Sequence, residues 1–159
     1  MEPQEWIRIF QEQISRQILN QAHTWHLEFD DNIMGQNPGR EQYIRTTRAR
    51  FRCSKCKRSW PSNRVMVLFH MRLFDGQGTV KVRPFRQNCK RCAEAPMEKP
   101  EVDAENIEII MENLVEKIRI KCYHENLGQK NRKPRSFDVK SPHEPAHCEG
   151  CKQGICTRD

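Results

Sequence analysis

Two stretches decide how this chain is organised: Phe51-Arg52-Cys53-Ser54-Lys55-Cys56-Lys57-Arg58 and Phe85-Arg86-Gln87-Asn88-Cys89-Lys90-Arg91-Cys92. Each contains two cysteines with two residues between them. That spacing makes a turn presenting two sulfurs to one ion, with backbone amides directed at them. Between Cys56 and Cys89 lie 32 residues, enough for two strands and a turn. Four thiolates fill the tetrahedral shell of a zinc ion and leave no position for water, so a structural centre is expected.

The flanking residues supply the arms. Tyr43 to Arg52 reads as a strand entering the first cysteine turn. Val65 to Phe74 reads as a second strand and Thr79 to Phe85 as a third, with the turn Asp75-Gly76-Gln77-Gly78 between them. Two strand-to-knuckle arms joined by a long hairpin make a zinc ribbon, an antiparallel β-sheet closed at one end by metal. Pro84 has no amide hydrogen and is expected at an edge or a bulge.

Further out, Trp6, Phe10, Ile14 and Ile18 recur every four residues, with Ile7 widening the stripe. This predicts an amphipathic helix over 4–20, started by Pro3. Trp25, Leu27 and Phe29 alternate with His26 and Glu28, a half-buried strand. Beyond the ribbon, Asp103 is placed as an N-cap. Ile107, Ile110, Met111, Leu114 and Ile118 then form a second helical stripe, ended by Lys117, Arg119 and Lys121. The fold class is therefore α+β: a zinc-ribbon-like antiparallel sheet, an N-terminal helix and a second helix after the ribbon. Residues 1–159 form a single domain, within which the polar, proline-bearing stretch 128–145 reads as a mobile loop.

Composition supports metal as the staple. The chain is 36% hydrophobic and 31% charged, with a mean hydropathy of −0.91, lean for a domain held by burial alone. The N-terminus lacks a basic region followed by an apolar one, so no secretory signal is read and a reducing, cytoplasmic compartment is expected. There, paired cysteines bind metal more readily than they form bridges. No run approaches the ~18 apolar residues of a membrane span.

The net charge of +7 is unevenly spread. Residues 40–92 carry fifteen basic side chains against Glu41 and Asp75, while the segments on either side are net acidic. Arg45, Arg48, Arg50, Arg52, Lys55, Lys57 and Arg58 fall close together with no acid among them. Such density exceeds what offsets a thiolate cluster, and it suits phosphates of RNA or lipid, or an acidic protein surface.

A second metal site is less determined by spacing. Cys148 and Cys151 act together. Counting cysteines completes the set with Cys122 and Cys156. The alternative takes His143 with Cys122 or His70, although spacing alone makes His70 a core histidine. His147, adjoining Cys148, is expected to be exposed. One catalytic pattern competes: His26-Leu27-Glu28 ahead of Cys53-x-x-Cys56 has the order of a zinc deaminase. It fails in detail, because Arg52 stands where proline is needed and the histidine lies in an alternating strand. No catalytic triad, phosphate loop or metalloprotease helix offers another reaction, and no enzyme is expected.

Several segments in one order resemble the receptor-transporting proteins, whose shared domain has three C-x-x-C pairs. They are Trp6 with Phe10-Gln11-Glu12, Cys53-x-x-Cys56 with Arg58 and Trp60, and Val67-Leu68-Phe69-His70-Met71. Next come Phe85-x-Gln87-x-Cys89-x-x-Cys92, Asn113-Leu114-Val115 and His143-x4-Cys148-Glu149-x-Cys151 with Gly154. The resemblance implies a non-enzymatic accessory that carries G-protein-coupled receptors of odorant, taste or opioid type to the cell surface. It implies two zinc ions, the second held by His143, Cys148 and Cys151 with Cys122 as fourth ligand and His70 as its alternative. It also implies a C-terminal membrane anchor, which is expected to be absent from residues 1–159, where no hydrophobic tail is read. With that anchor the domain lies on the cytosolic face of the endoplasmic reticulum or plasma membrane. One interferon-inducible member of the family is an antiviral effector that binds viral RNA. The basic segment from Arg45 to Arg58, with Trp60, Phe51 or Phe85 stacking on bases, is the surface for that role.

Overall fold

The longest strand organises the molecule. In the computed structural model, which describes residues 3–20, 22–35, 39–127 and 143–156, β3 runs from Ser59 to Phe74. It pairs antiparallel with β2 (Glu41–Arg52) on one side and β4 (Gln77–Pro84) on the other. Its residues Val65 to Met71 are all buried, because the strand is central and both of its faces are covered. One face sends Val65, Val67, Phe69 and Met71 into the main core; the other sends Met66 and Leu68 into a smaller one.

The main core is closed by two helices. Helix α1 (Pro3–Gln17) contributes Trp6, Ile9 and Phe10, and α2 (Ala104–Lys121) contributes Ile107, Ile110, Met111, Leu114 and Ile118. Each of the larger side chains contributes about 1.5–3 kcal/mol by burial. Helix α1 ends three residues earlier than expected, but Ile18 still reaches the core. Asp103 caps α2 as expected, accepting the Asn106 amide at 2.9 Å. Its other oxygen takes Arg48 at 2.9 Å. The register sets Asn63 and Arg64 of β3 opposite Arg48 alone between paired Thr47–Val65 and Ala49–Ser62, a bulge at the point where β2 meets the cap.

One pairing is not antiparallel. The strand order is β1-β4-β3-β2, and β1 (Thr24–Phe29) lies parallel to β4. The sheet is therefore mixed: the chain leaves β1 at one edge and crosses to β2 at the other. Gly78 of β4 makes this contact possible. A Cβ there would sit 2.1 Å from the ring of Trp25, its partner across the pair. Pro84 is the last residue of β4, opposite Val67, where a missing amide costs no ladder bond. Residues 128–142 of the expected mobile loop lie outside the described residues. Its remaining members precede and open a short 3-10 turn, Pro145–His147, followed by α3 (Glu149–Lys152).

Candidate metal centres

The first centre forms where β2 runs out and β3 begins. Cys53 donates its amide to the Arg58 carbonyl at 2.8 Å, and the Lys57 amide returns to the Cys53 carbonyl at 3.0 Å. This closes the knuckle through Lys57 at φ 65°. The amides of Lys55 and Cys56 point at the Cys53 sulfur at 3.3 and 3.5 Å. The second knuckle follows β5 (Gln87–Asn88), a two-residue strand paired with β6 (Met97–Glu98). The Glu98 carboxylate accepts the Ser54 amide at 2.7 Å, tying one knuckle to the other.

The donor atoms of Cys53, Cys56, Cys89 and Cys92 lie within 4.8 Å of one another. Cys53 and Cys92 approach to 3.8 Å, as do Cys56 and Cys89. A tetrahedron with 2.3 Å zinc–sulfur bonds has edges of about 3.8 Å, which two of the sulfur pairs match. The thiols are electrostatically divided. The Cys56 amide foremost draws Cys53 down against burial. Burial works to raise Cys89, but hydrogen bonds led by the Arg58 side chain outweigh it and bring it down to about 6. Cys92 is pushed up to about 12, first by its hydrogen bond with Cys56 and then by burial. The group shares protons that an incoming zinc ion displaces.

The second centre lies against the other face of the sheet. The donors of His143, Cys148, Cys151 and Cys156 fall within 4.8 Å of one another, with His143 Nε2 3.3 Å from the Cys151 sulfur and Cys148 3.5 Å from Cys156. Cys148 is brought down to about 5, foremost by the Cys156 hydrogen bond and in spite of burial. Cys151 is raised chiefly by burial, and Cys156 chiefly by its bond to Cys148. Sulfur and imidazole donors in this number suit zinc, and the two groups can each hold one ion.

The donor that the structure brings beside His143, Cys148 and Cys151 is Cys156, and neither Cys122 nor His70 is in that group. Cys122 caps the far end of α2, half-buried against the main core and under the influence of Glu41, its thiol pushed up to about 11 by burial. His70 sits buried in mid-β3, beside Gln42 and Lys81 on neighbouring strands. Neither reaches the cluster. Counting cysteines had offered Cys156 together with Cys122, and Gly150 seats it, since a Cβ there would lie 2.8 Å from the Cys156 sulfur. His147 is not simply exposed, since its Nδ1 lies 2.8 Å from Asn88 Oδ1.

That contact belongs to a seam between the centres. Gln87 bridges Cys148, the Glu149 amide donates to the Arg86 carbonyl at 2.8 Å, and the Arg86 amide donates to Glu149 Oε1 at 3.2 Å. Arg83, buried over the Phe85 ring, donates to the Ile33 carbonyl at 2.8 Å and reaches Glu149 at 3.5 Å. The deaminase-like residues do not join either centre: His26 and Glu28 are exposed on β1.

The basic residues are distributed among structural tasks. Arg48 holds Asp103. Arg45 faces Tyr43 and Glu116 beside α2. Lys55 donates to the Ala93 carbonyl and Lys57 to the Ser54 carbonyl. Arg58 lies 4.7 Å over the Trp60 ring, which also stacks with Phe51 at 5.4 Å. Phe51 and Phe85 are buried and do not offer a face to a base, while Trp60 is half-buried against Phe51 and Arg58. Arg50 and Arg52 are exposed at the end of β2.

Fold and centres together define a zinc-ribbon protein whose ions brace the sheet. The 3CxxC zinc-ribbon family, a zinc-binding domain, matches residues 46–154. The chain is 38% identical over 162 residues to Receptor-transporting protein 3 of Mus musculus, covering 98% of this chain and 34% of that protein. It is 33% identical to Receptor-transporting protein 2 of Mus musculus, covering 95% and 69% respectively. With Receptor-transporting protein 1 of Homo sapiens the identity is 35%, over 95% and 59%. The chain belongs to the receptor-transporting protein family and spans between 34% and 69% of the length of these relatives. No solved structure matches it. Among the described residues, no helix is long and apolar enough to cross a membrane.

Proposed function

We propose that this protein is a non-enzymatic accessory that binds G-protein-coupled receptors of odorant, taste or opioid type at the cytosolic membrane face and promotes their export to the surface. Membership of the receptor-transporting family carries the reading. Four protein donors at each centre agree with it, because a filled tetrahedron offers a substrate no open position. The test is co-expression with a receptor panel, the chain being fused to a tail anchor. Higher surface receptor than with empty vector is expected for at least one client; no gain for any receptor overturns the reading.

A second reading, an antiviral effector binding viral RNA, rests on the positive excess of residues 40–92. It predicts affinity that falls steeply with salt and weakens when Arg50 and Arg52 are both changed to Glu. RNA affinity indifferent to that double change removes this surface from the reading.

A further inference from the structure

The edge of the sheet formed by β2 has a hydrogen-bonding direction that can be worked out from its neighbours. The Phe85 amide donates to the Met66 carbonyl at 2.9 Å, and Pro84, without an amide hydrogen, stands opposite Val67. Bonded and non-bonded pairs alternate along an antiparallel ladder. Met66, Leu68 and His70 therefore turn their peptide groups toward β4, and Val65, Val67 and Phe69 turn theirs toward β2. The partners of the latter three are Thr47, Arg45 and Tyr43, which bond inward. Gln42, Ile44 and Thr46 must then direct N–H and C=O away from the sheet. Among the described residues, none of the three has an outward backbone bond.

The same edge already takes a partner further along. Arg50 and Glu101 exchange both backbone bonds, at 2.9 and 2.8 Å. An acidic residue in an extended segment thus pairs beside an arginine, four residues from Thr46.

We propose that the open edge of β2 at Gln42, Ile44 and Thr46 receives an extended acidic peptide from another protein as an added strand. Alternating donors and acceptors along the edge fit a peptide backbone, whereas a phosphate backbone offers acceptors alone. Charge selects among peptides. Positive charge on β2 comes from Arg45 at this edge, beside Tyr43 and Glu116, and further along from Arg48 on Asp103 and the exposed Arg50 and Arg52, against Glu41. A second copy of this edge would bring two such rows together, the charge-based device by which edges avoid self-pairing. An acidic strand meets the row favourably: the residue opposite Ile44 lies beside a half-buried apolar side chain, and its neighbour faces Arg45. The inference stands apart from receptor export and holds whatever protein supplies the strand.

Amide exchange on the zinc-loaded chain at low salt tests it, with a capped peptide alternating glutamate and valine as the probe. Exchange is expected to slow roughly tenfold or more at the Gln42, Ile44 and Thr46 amides while Tyr43, Arg45 and Thr47, already bonded, stay unchanged. A peptide alternating lysine and valine should leave all six unchanged. Thr46→Pro removes one outward donor without touching the inner ladder, and it should weaken binding of the acidic peptide roughly tenfold. The exchange pattern of the unaltered chain decides the question even if that variant fails to load two zinc ions. The proposal is overturned if the acidic peptide slows none of the three amides, or if the basic peptide slows them equally. It is also overturned if they slow with rising protein concentration alone, which would seat a second copy there, or if a short RNA gives the same pattern.

Discussion

At the scale of single residues, the second centre turns on Gly150 and Cys156. Cys156 is the cysteine of the cluster with no C-x-x-C partner of its own, and its sulfur sits where a Cβ at position 150 would clash, 3.5 Å from Cys148. Cys156→Ser is expected to lower the zinc count from two to one by native mass spectrometry, whereas Cys122→Ser should leave two. Two ions retained in Cys156→Ser would return the fourth-ligand role to another donor. Gly150→Ala keeps all four donors but pushes one sulfur aside. Displacing a ligand's support costs about 10–100-fold in metal affinity. Competition with a chelator should show that loss at the second ion alone. Counting cysteines offered Cys156 only alongside Cys122, and spacing could not tie it to Gly150, because a glycine between two cysteines looks like any turn glycine until the sulfur above it is located.

At the scale of elements, local pattern and long-range partner separate cleanly. Helix α2 was legible from Asp103 to its basic last turn because cap, stripe and dipole charges are all local signals. The ribbon was legible for the same reason, since each knuckle carries its own geometry. Strand β1 was legible as a strand but not as the parallel neighbour of β4, because alternation states which face is buried and not who lies alongside. Strand β3 starts at Ser59, well before the apolar run, as pairing with β2 holds its polar beginning extended. The Asp103 cap joins two elements at once. Asp103→Ala should destabilise by about 1 kcal/mol through the lost cap, with a few tenths or more from the partly buried pair with Arg48. Asp103→Asn should recover most of the cap share in denaturant unfolding with zinc held constant. The β1–β4 contact predicts a larger effect. Gly78→Ala drives a methyl into the Trp25 ring and should cost about 1–3 kcal/mol or more, with Trp25→Leu in the same chain recovering part of it.

At the scale of the whole molecule, the two centres brace different things and depend on each other unequally. The first closes the end of β2 and β3 and fixes the segment running from Phe85 to Cys92. The second lies across the far face, pinning residues 143–156 to Phe85, Leu68 and Met66. Its only described backbone anchors on the ribbon are Arg86 and Gln87, three and two residues before Cys89, a member of the first group. If the first ion is lost, that segment loses its fixed end, and the second centre loses the strand it is built on. If the second ion is lost, the first keeps the β2–β3 pairing and the Glu98–Ser54 tie. Cys148→Ser with Cys151→Ser should therefore retain one zinc, and amide exchange should rise over 143–156 and around Ile33, which Arg83 links to Glu149. Val67, Phe69 and Ile110 should stay protected in that variant, being held by the opposite core. Cys53→Ser with Cys56→Ser should bring the average zinc count below one and loosen both faces. Equal losses in the two double variants would show that the centres are independent and that the seam at Arg86 to Asn88 transmits nothing.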